Sequence, residues 1–259
     1  MKVLRRLALG ARRLSRSWTA MVTLLLVVGL VVVAYRAGTR SAPVDDTVSN
    51  VPRVGPADGQ PVDAYRAAAS HELDGSRNQP TWALVSLTGY QRPAALASLL
   101  TGVDVSRVVA RVPLPDVQTQ LVTLVVDRLT VDVPTGMRRT ATAKERAATT
   151  AASSAASAGT SELKQVYAQE AAVQRREAAA YRSLCACVYG AVVRGTPAQL
   201  RTLAQRPGIR VVDPAPEVTR LDRATFVPLL PEQSGTVGPP SDTAAGPSAT
   251  PSRSAVGHN

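Results

Sequence analysis

The chain has 259 residues, 45% of them hydrophobic but only 3% aromatic, and a formal net charge of +11. Six of the basic residues (Lys2, Arg5, Arg6, Arg12, Arg13 and Arg16) fall within the first 17, and the charges beyond them are of both signs and dispersed. A nucleic-acid binder needs a basic stripe with stacking rings, so nucleic acid is excluded as a partner.

Residues 1–17 read as a basic cytoplasmic segment. Residues 18–35 (WTAMVTLLLVVGLVVVAY) carry no charge. As a helix they span about 27 Å, close to the hydrocarbon thickness of a bilayer. Basic flanks stay inside, so the sequence predicts a single-pass transmembrane helix with the N-terminus cytoplasmic and the rest of the chain extracytoplasmic. A cleaved signal peptide ending at Val32-Val33-Ala34 is the alternative, and it leaves the compartment unchanged. Arg outnumbers Lys 27 to 3 and Ala is abundant, a coding bias of GC-rich genomes that points to a bacterial source.

Residues 36–80 are rich in Gly, Pro, Ser, Asp and Ala and read as a linker or stalk, with a short helix over 64–73. Residues 81–231 form the predicted extracytoplasmic α+β domain. It contains an internal repeat. Pro93, Ala94, Leu96 and Leu99 match Pro197, Ala198, Leu200 and Leu203; a Gly follows in each copy (Gly102, Gly208), then Arg-Val-Val (107–109, 210–212). Pro suits the first helical position, leucines three or four apart make one apolar stripe, and Gly closes the helix. Valine-rich stretches on either side supply strands, so each copy reads as strand, short helix, strand.

Two such units predict a ferredoxin-like duplicated β-α-β domain with both helices on one face of the sheet. Residues 84–87 should pair beside 191–193 at the centre, with Leu96, Leu99, Leu200 and Leu203 buried against the sheet. Between the copies, residues 118–133 alternate as one or two further strands. Residues 134–183 form a helical insertion, broken into two helices within 149–161, with Ser161 as a cap for the second. Glu170 and Glu177 interrupt any strict heptad there, so a continuous coiled coil is not indicated. Residues 232–259 hold almost no large apolar side chain and read as a disordered tail.

The segments ALVSLTGY with PAALASLLTG, and VYGAVVRGTPAQLRTL, resemble the extracytoplasmic domain of Gram-positive sigma-factor regulators, which are single-pass membrane proteins. The resemblance implies a trans-envelope sensor or regulator. The chain departs from that family in having only the 17-residue basic segment in place of a folded cytoplasmic domain that captures a sigma factor.

Catalysis has little to build on. Of the two histidines, His71 falls in the predicted stalk and His258 at the end of the tail, and the phosphate-cradling patterns GxGxxG and GxxxxGK[ST] are absent. No catalytic, cofactor-binding or metal-binding residue is nominated, and no cofactor is expected. Cys185 and Cys187, the only cysteines, are the single constellation with chemical potential. They admit three roles in an oxidising compartment: a structural bridge, a redox-active or intermolecular pair, or two small buried side chains. Two residues apart on a strand their Cα atoms would lie about 6.6 Å apart, so a bridge there would need a kink. The expected function is a membrane-anchored, non-catalytic extracytoplasmic domain for protein interaction or cell-envelope assembly, with the membrane and an envelope protein as partners. A trans-envelope regulator and a thiol-disulfide exchange protein are the alternatives.

Overall fold

In the computed structural model the two repeats fold as halves of one sheet; the structure describes residues 51–75, 79–115 and 117–238. The elements, in chain order, are β1 (Arg53–Val54), α1 (Val62–Gly75), β2 (Thr81–Gln91), α2 (Pro93–Leu99), β3 (Asp104–Ala110), β4 (Val122–Val125), α3 (Leu129–Ser157), α4 (Ser161–Arg182), β5 (Val188–Gly195), α5 (Pro197–Ala204), β6 (Ile209–Ala215) and β7 (Thr225–Phe226). The five-stranded sheet has the order β4-β3-β5-β2-β6 and is antiparallel throughout. Four of its strands, β3, β5, β2 and β6, form the split β-α-β arrangement of a duplicated unit, and β4 is added outside β3.

The expected central pairing is present: Leu84 faces Val192 and Val85 faces Ala191. Leu96, Leu200 and Leu203 are fully buried, and Leu99 packs against the same cluster from a partly exposed position. The repeats differ in how their helices start. In α5 the Thr196 side chain accepts from the Gln199 N–H at 3.3 Å, while the Gln199 side chain accepts from the Thr196 N–H at 2.8 Å. In α2 Arg92 supplies no side-chain cap, and the helix relies on Pro93 at its start.

The class expected from sequence, an α+β chain led by a transmembrane helix, is corrected here. Five α-helices and two sheets make the described part α+β. No helix among the described residues is long and apolar enough to cross a membrane, and residues 1–17 and 18–35 lie outside the described residues.

The predicted stalk is also revised. Within it, residues 51–75 are part of the fold. Val62, Tyr65, Ala69 and Leu73 give α1 a buried stripe, and the helix lies against β6. Residues 232–238, read as the start of the tail, are folded too. Val62 N–H donates to the Gly235 carbonyl, and Gly59 and Gln60 exchange backbone bonds with Val237. The rest of the predicted tail, 239–259, lies outside the described residues.

These segments give the sheet a second covering layer, opposite α2, α5 and the base of α3. Leu84 and Val192 pack with Val54, Ala215 and Val218, while Val109 and Tyr189 pack with Leu230. The central strands are therefore buried on both faces, which is why β5 reads as an almost unbroken apolar run. Gly190 makes this closure possible. A Cβ there would sit 2.5 Å from the Pro228 ring, which lies directly on the strand.

Sequence alternation over 118–133 yields only β4, because Leu129 already begins α3. The Asp132 carboxylate accepts from the backbone N–H groups of Asp127 (2.9 Å) and Arg128 (2.6 Å), fixing the helix start. Pro134, expected to open the helix, lies inside it. Helices α3 and α4 pack along each other as a hairpin, separated by Ala158-Gly159-Thr160. Thr160, one residue before the expected Ser161, is the cap: its side chain accepts from the Leu163 N–H at 3.3 Å.

Candidate functional site

Cys185 and Cys187 lie in the turn between α4 and β5, not on a strand, and form a disulfide with Cα atoms 5.3 Å apart. The turn brings the two residues to ordinary disulfide spacing, so the kink that an extended strand would require never arises. Leu184 makes the reversal with φ of 53°, Cys185 N–H donates to the Ala180 carbonyl, and Cys187 N–H donates to the Gln91 carbonyl. Cys187 is fully buried in the main core and Cys185 partly so. The bond thus clamps the end of the hairpin to the first residues of β5. His71 is exposed on α1 rather than in a stalk, and His258 lies outside the described residues. Among the described residues no three His, Cys, Asp or Glu side chains are grouped as a metal site.

Three buried polar clusters were not legible in the sequence. The first holds the hairpin base. Lys144 Nζ donates to Glu177 Oε2 at 2.8 Å and to Gln120 Oε1 at 3.0 Å, with the two charged side chains only 6% and 1% exposed. Glu177 Oε1 and Tyr181 Oη are buried beside it without a hydrogen-bond partner. Burial, reinforced by Glu177, pushes the Tyr181 phenol up.

In the second cluster, Tyr65 on α1 donates to Asp213 Oδ2 on β6 at 2.8 Å. Burial raises the Asp213 carboxyl to about 6; Glu72 and Glu217 add to the rise and the Tyr65 bond opposes it.

The third cluster is built on buried Arg111. Its Nε donates to Thr119 Oγ1 (3.1 Å), and its Nη1 donates to Tyr90 Oη (3.2 Å) and to Glu232. Tyr90 donates in turn to Glu232 Oε2 at 3.0 Å and meets Tyr189 edge to face at 5.8 Å. Desolvation is the main reason the Tyr90 phenol is pushed up to about 12. Each cluster joins segments distant in sequence: Gln120, α3 and α4; α1 and β6; β2, residues 111–119 and Glu232. Their hydrogen bonds are used within the fold.

The surface offers two apolar features. The first is the outer part of the hairpin. Residues 161–170 of α4 are all exposed, and burial begins at Ala171. Leu163, Val166 and Tyr167 stand three and four residues apart on this stretch, so they share one helix face. Only the inner part of the insertion packs onto the domain, through Val133, Met137, Ala141 and Tyr181. The second feature is the edge strand β4, where exposure alternates from Leu121 to Val126. Glu177, which breaks the heptad pattern in sequence, proves to be the partner of a lysine. The one sequence signal that could have marked the pair is Lys144, one of only three lysines in an arginine-rich chain.

The chain matches no known protein family, no curated protein and no solved structure.

Proposed function

We propose that this chain is a non-catalytic protein-interaction domain that works outside the cytoplasm, in assembly of the cell envelope, and that it engages its partner through the outer half of the α3–α4 hairpin. The observation that carries this reading is the stripe Leu163, Val166 and Tyr167 on the outer turns of α4, which stays 47%, 57% and 38% exposed although the helix packs along α3. Large apolar side chains at helical spacing are costly to leave in water and are typical anchors of helix-mediated recognition. The hairpin presents them on a clamped support: Lys144 and Glu177 lock its base and the Cys185–Cys187 bond ties off its end. The disulfide supports the compartment, since such bonds persist in oxidising surroundings.

A photoreactive residue placed at Val166 or Tyr167 of the full chain, and illuminated in cells of the source organism, tests the proposal. A discrete heavier adduct from both positions, and none from the exposed control position Thr149, is the expected result. Equal labelling from Thr149, or no adduct from the stripe, would overturn it.

A further inference from the structure

We infer that a second copy of this chain pairs with the open edge of the sheet, β4 against β4 about a twofold axis, giving one continuous ten-stranded sheet. This contact is independent of the hairpin stripe. Strand β4 ends the sheet, and its outer side pairs with no strand among the described residues. Val126 N–H donates inward to the Ser106 carbonyl at 2.9 Å. By the two-residue alternation of an antiparallel ladder, Leu124 and Val122 also point inward. The backbone groups of Thr123 and Val125 therefore point out from the edge, and an extended Leu121 continues the set.

Natural edges carry charges, proline or a bulge against such pairing. The strand Val122-Thr123-Leu124-Val125 has neither charge nor proline, and its register with β3 is unbroken.

Self-pairing is favoured by the symmetry of the residues about Thr123. In an antiparallel pair centred there, Thr123 faces its own counterpart, and Leu121 of each copy faces Val125 of the other. Those two side chains are among the most exposed large apolar groups, at 48% and 73%. Each would be covered by the other, a cross-strand apolar pair of the kind that stabilises sheets.

Charge agrees with the same operator. The groove beside β4, about 440 Å³, is lined by Asp127 and Asp132 on one side of the Gly136–Leu124 contact and by Arg139 on the other. A twofold axis through Thr123 turns the acidic end of one groove towards the basic end of the other, as an isologous interface requires.

Cysteine cross-linking of the purified full chain under mild oxidant tests this. With Cys185 and Cys187 already bonded to each other, an introduced cysteine is the only free thiol. Thr123→Cys should give a disulfide-linked dimer as the main species, because Cα atoms of directly opposed residues lie about 5.5 Å apart. Val125→Cys should not cross-link to itself, because the two positions are offset by four residues, about 13 Å. Thr123→Pro removes only an outward N–H and should abolish the dimer seen by light scattering. Val125→Lys should do the same with the backbone untouched. Failure of Thr123→Cys to cross-link, equal cross-linking by Val125→Cys, or a dimer that survives Val125→Lys would each overturn the proposal.

Discussion

Replacing Lys144 with Met should destabilise the domain far more than an ordinary surface change. The side chain is buried at the base of the hairpin, 2.8 Å from Glu177 Oε2, and the other Glu177 oxygen has no partner. Removing the ammonium leaves a carboxylate in the interior with no countercharge. Breaking one side of a buried pair costs about 3–5 kcal/mol, whereas replacing both members by apolar groups of similar volume is often neutral or stabilising. Lys144→Met with Glu177→Leu should therefore recover most of the loss, although Gln120 also gives up a bond to Lys144. Urea unfolding of the full chain, followed by far-ultraviolet circular dichroism, measures both effects. At an m-value of about 2 kcal/mol/M the single variant should lower the midpoint by roughly 1.5–2.5 M. A loss below about 1 kcal/mol in the single variant, or no recovery in the double, would refute the reasoning.

The Asp213 carboxyl, raised to about 6 by burial, sits above its unfolded value near 4, so the folded state holds its proton more tightly. Its contribution to stability is complete below pH ~4 and is lost as the pH rises through 6, by ~2–3 kcal/mol. Asp213→Asn keeps an acceptor for Tyr65, so unfolding measured from pH 4 to 7 should lose that slope. Leu96→Ala and Leu200→Ala, each emptying a fully buried site under the sheet, should each cost ~2–5 kcal/mol in the same assay. Gly190→Ala, whose added methyl meets Pro228, should cost ~1–3 kcal/mol and expose the Leu229 amide to faster hydrogen exchange.

The duplicated half of the fold was legible because its signals are local and repeated. Pro93 and Pro197 start helices and leucine spacing marks their buried faces, while Gly102 and Gly208, with φ of 83° and 94°, do not cap the helices as expected but make the turns beyond the C-caps Leu100 and Gln205. Of the second layer only the short helix over 64–73, now part of α1, was legible, and its place in the fold was not, since the layer's apolar groups are sparse in a polar context. Val62, Tyr65, Ala69 and Leu73 make a helical stripe only once their wide spacing is read around a helix. Val237 is a single valine among Gly, Pro and Ser. Over 129–133 the alternation of Leu, Val and Val suggested a strand, but Asp132 capping the chain start decided for helix. The candidate surface was half visible: the insertion and its break were readable, but which part buries and which projects depends on the Lys144–Glu177 pair, 33 residues apart. The cysteines were visible as a pair, and their bridge depended on the turn at Leu184, which no local pattern announced.

The most direct test of the interaction role is the size of the native complex formed by the full chain, before and after the stripe is made acidic. Leu163→Asp with Val166→Asp changes positions that are 47% and 57% exposed and belong to no buried core cluster, so the domain should stay folded and lose no more than about 5 °C in melting temperature. The complex extracted from cells under mild conditions should shrink to the chain's own assembly in this variant, while Thr123→Pro should leave the partner bound. A stripe variant that melts normally and still migrates in the full-sized complex would contradict the assignment.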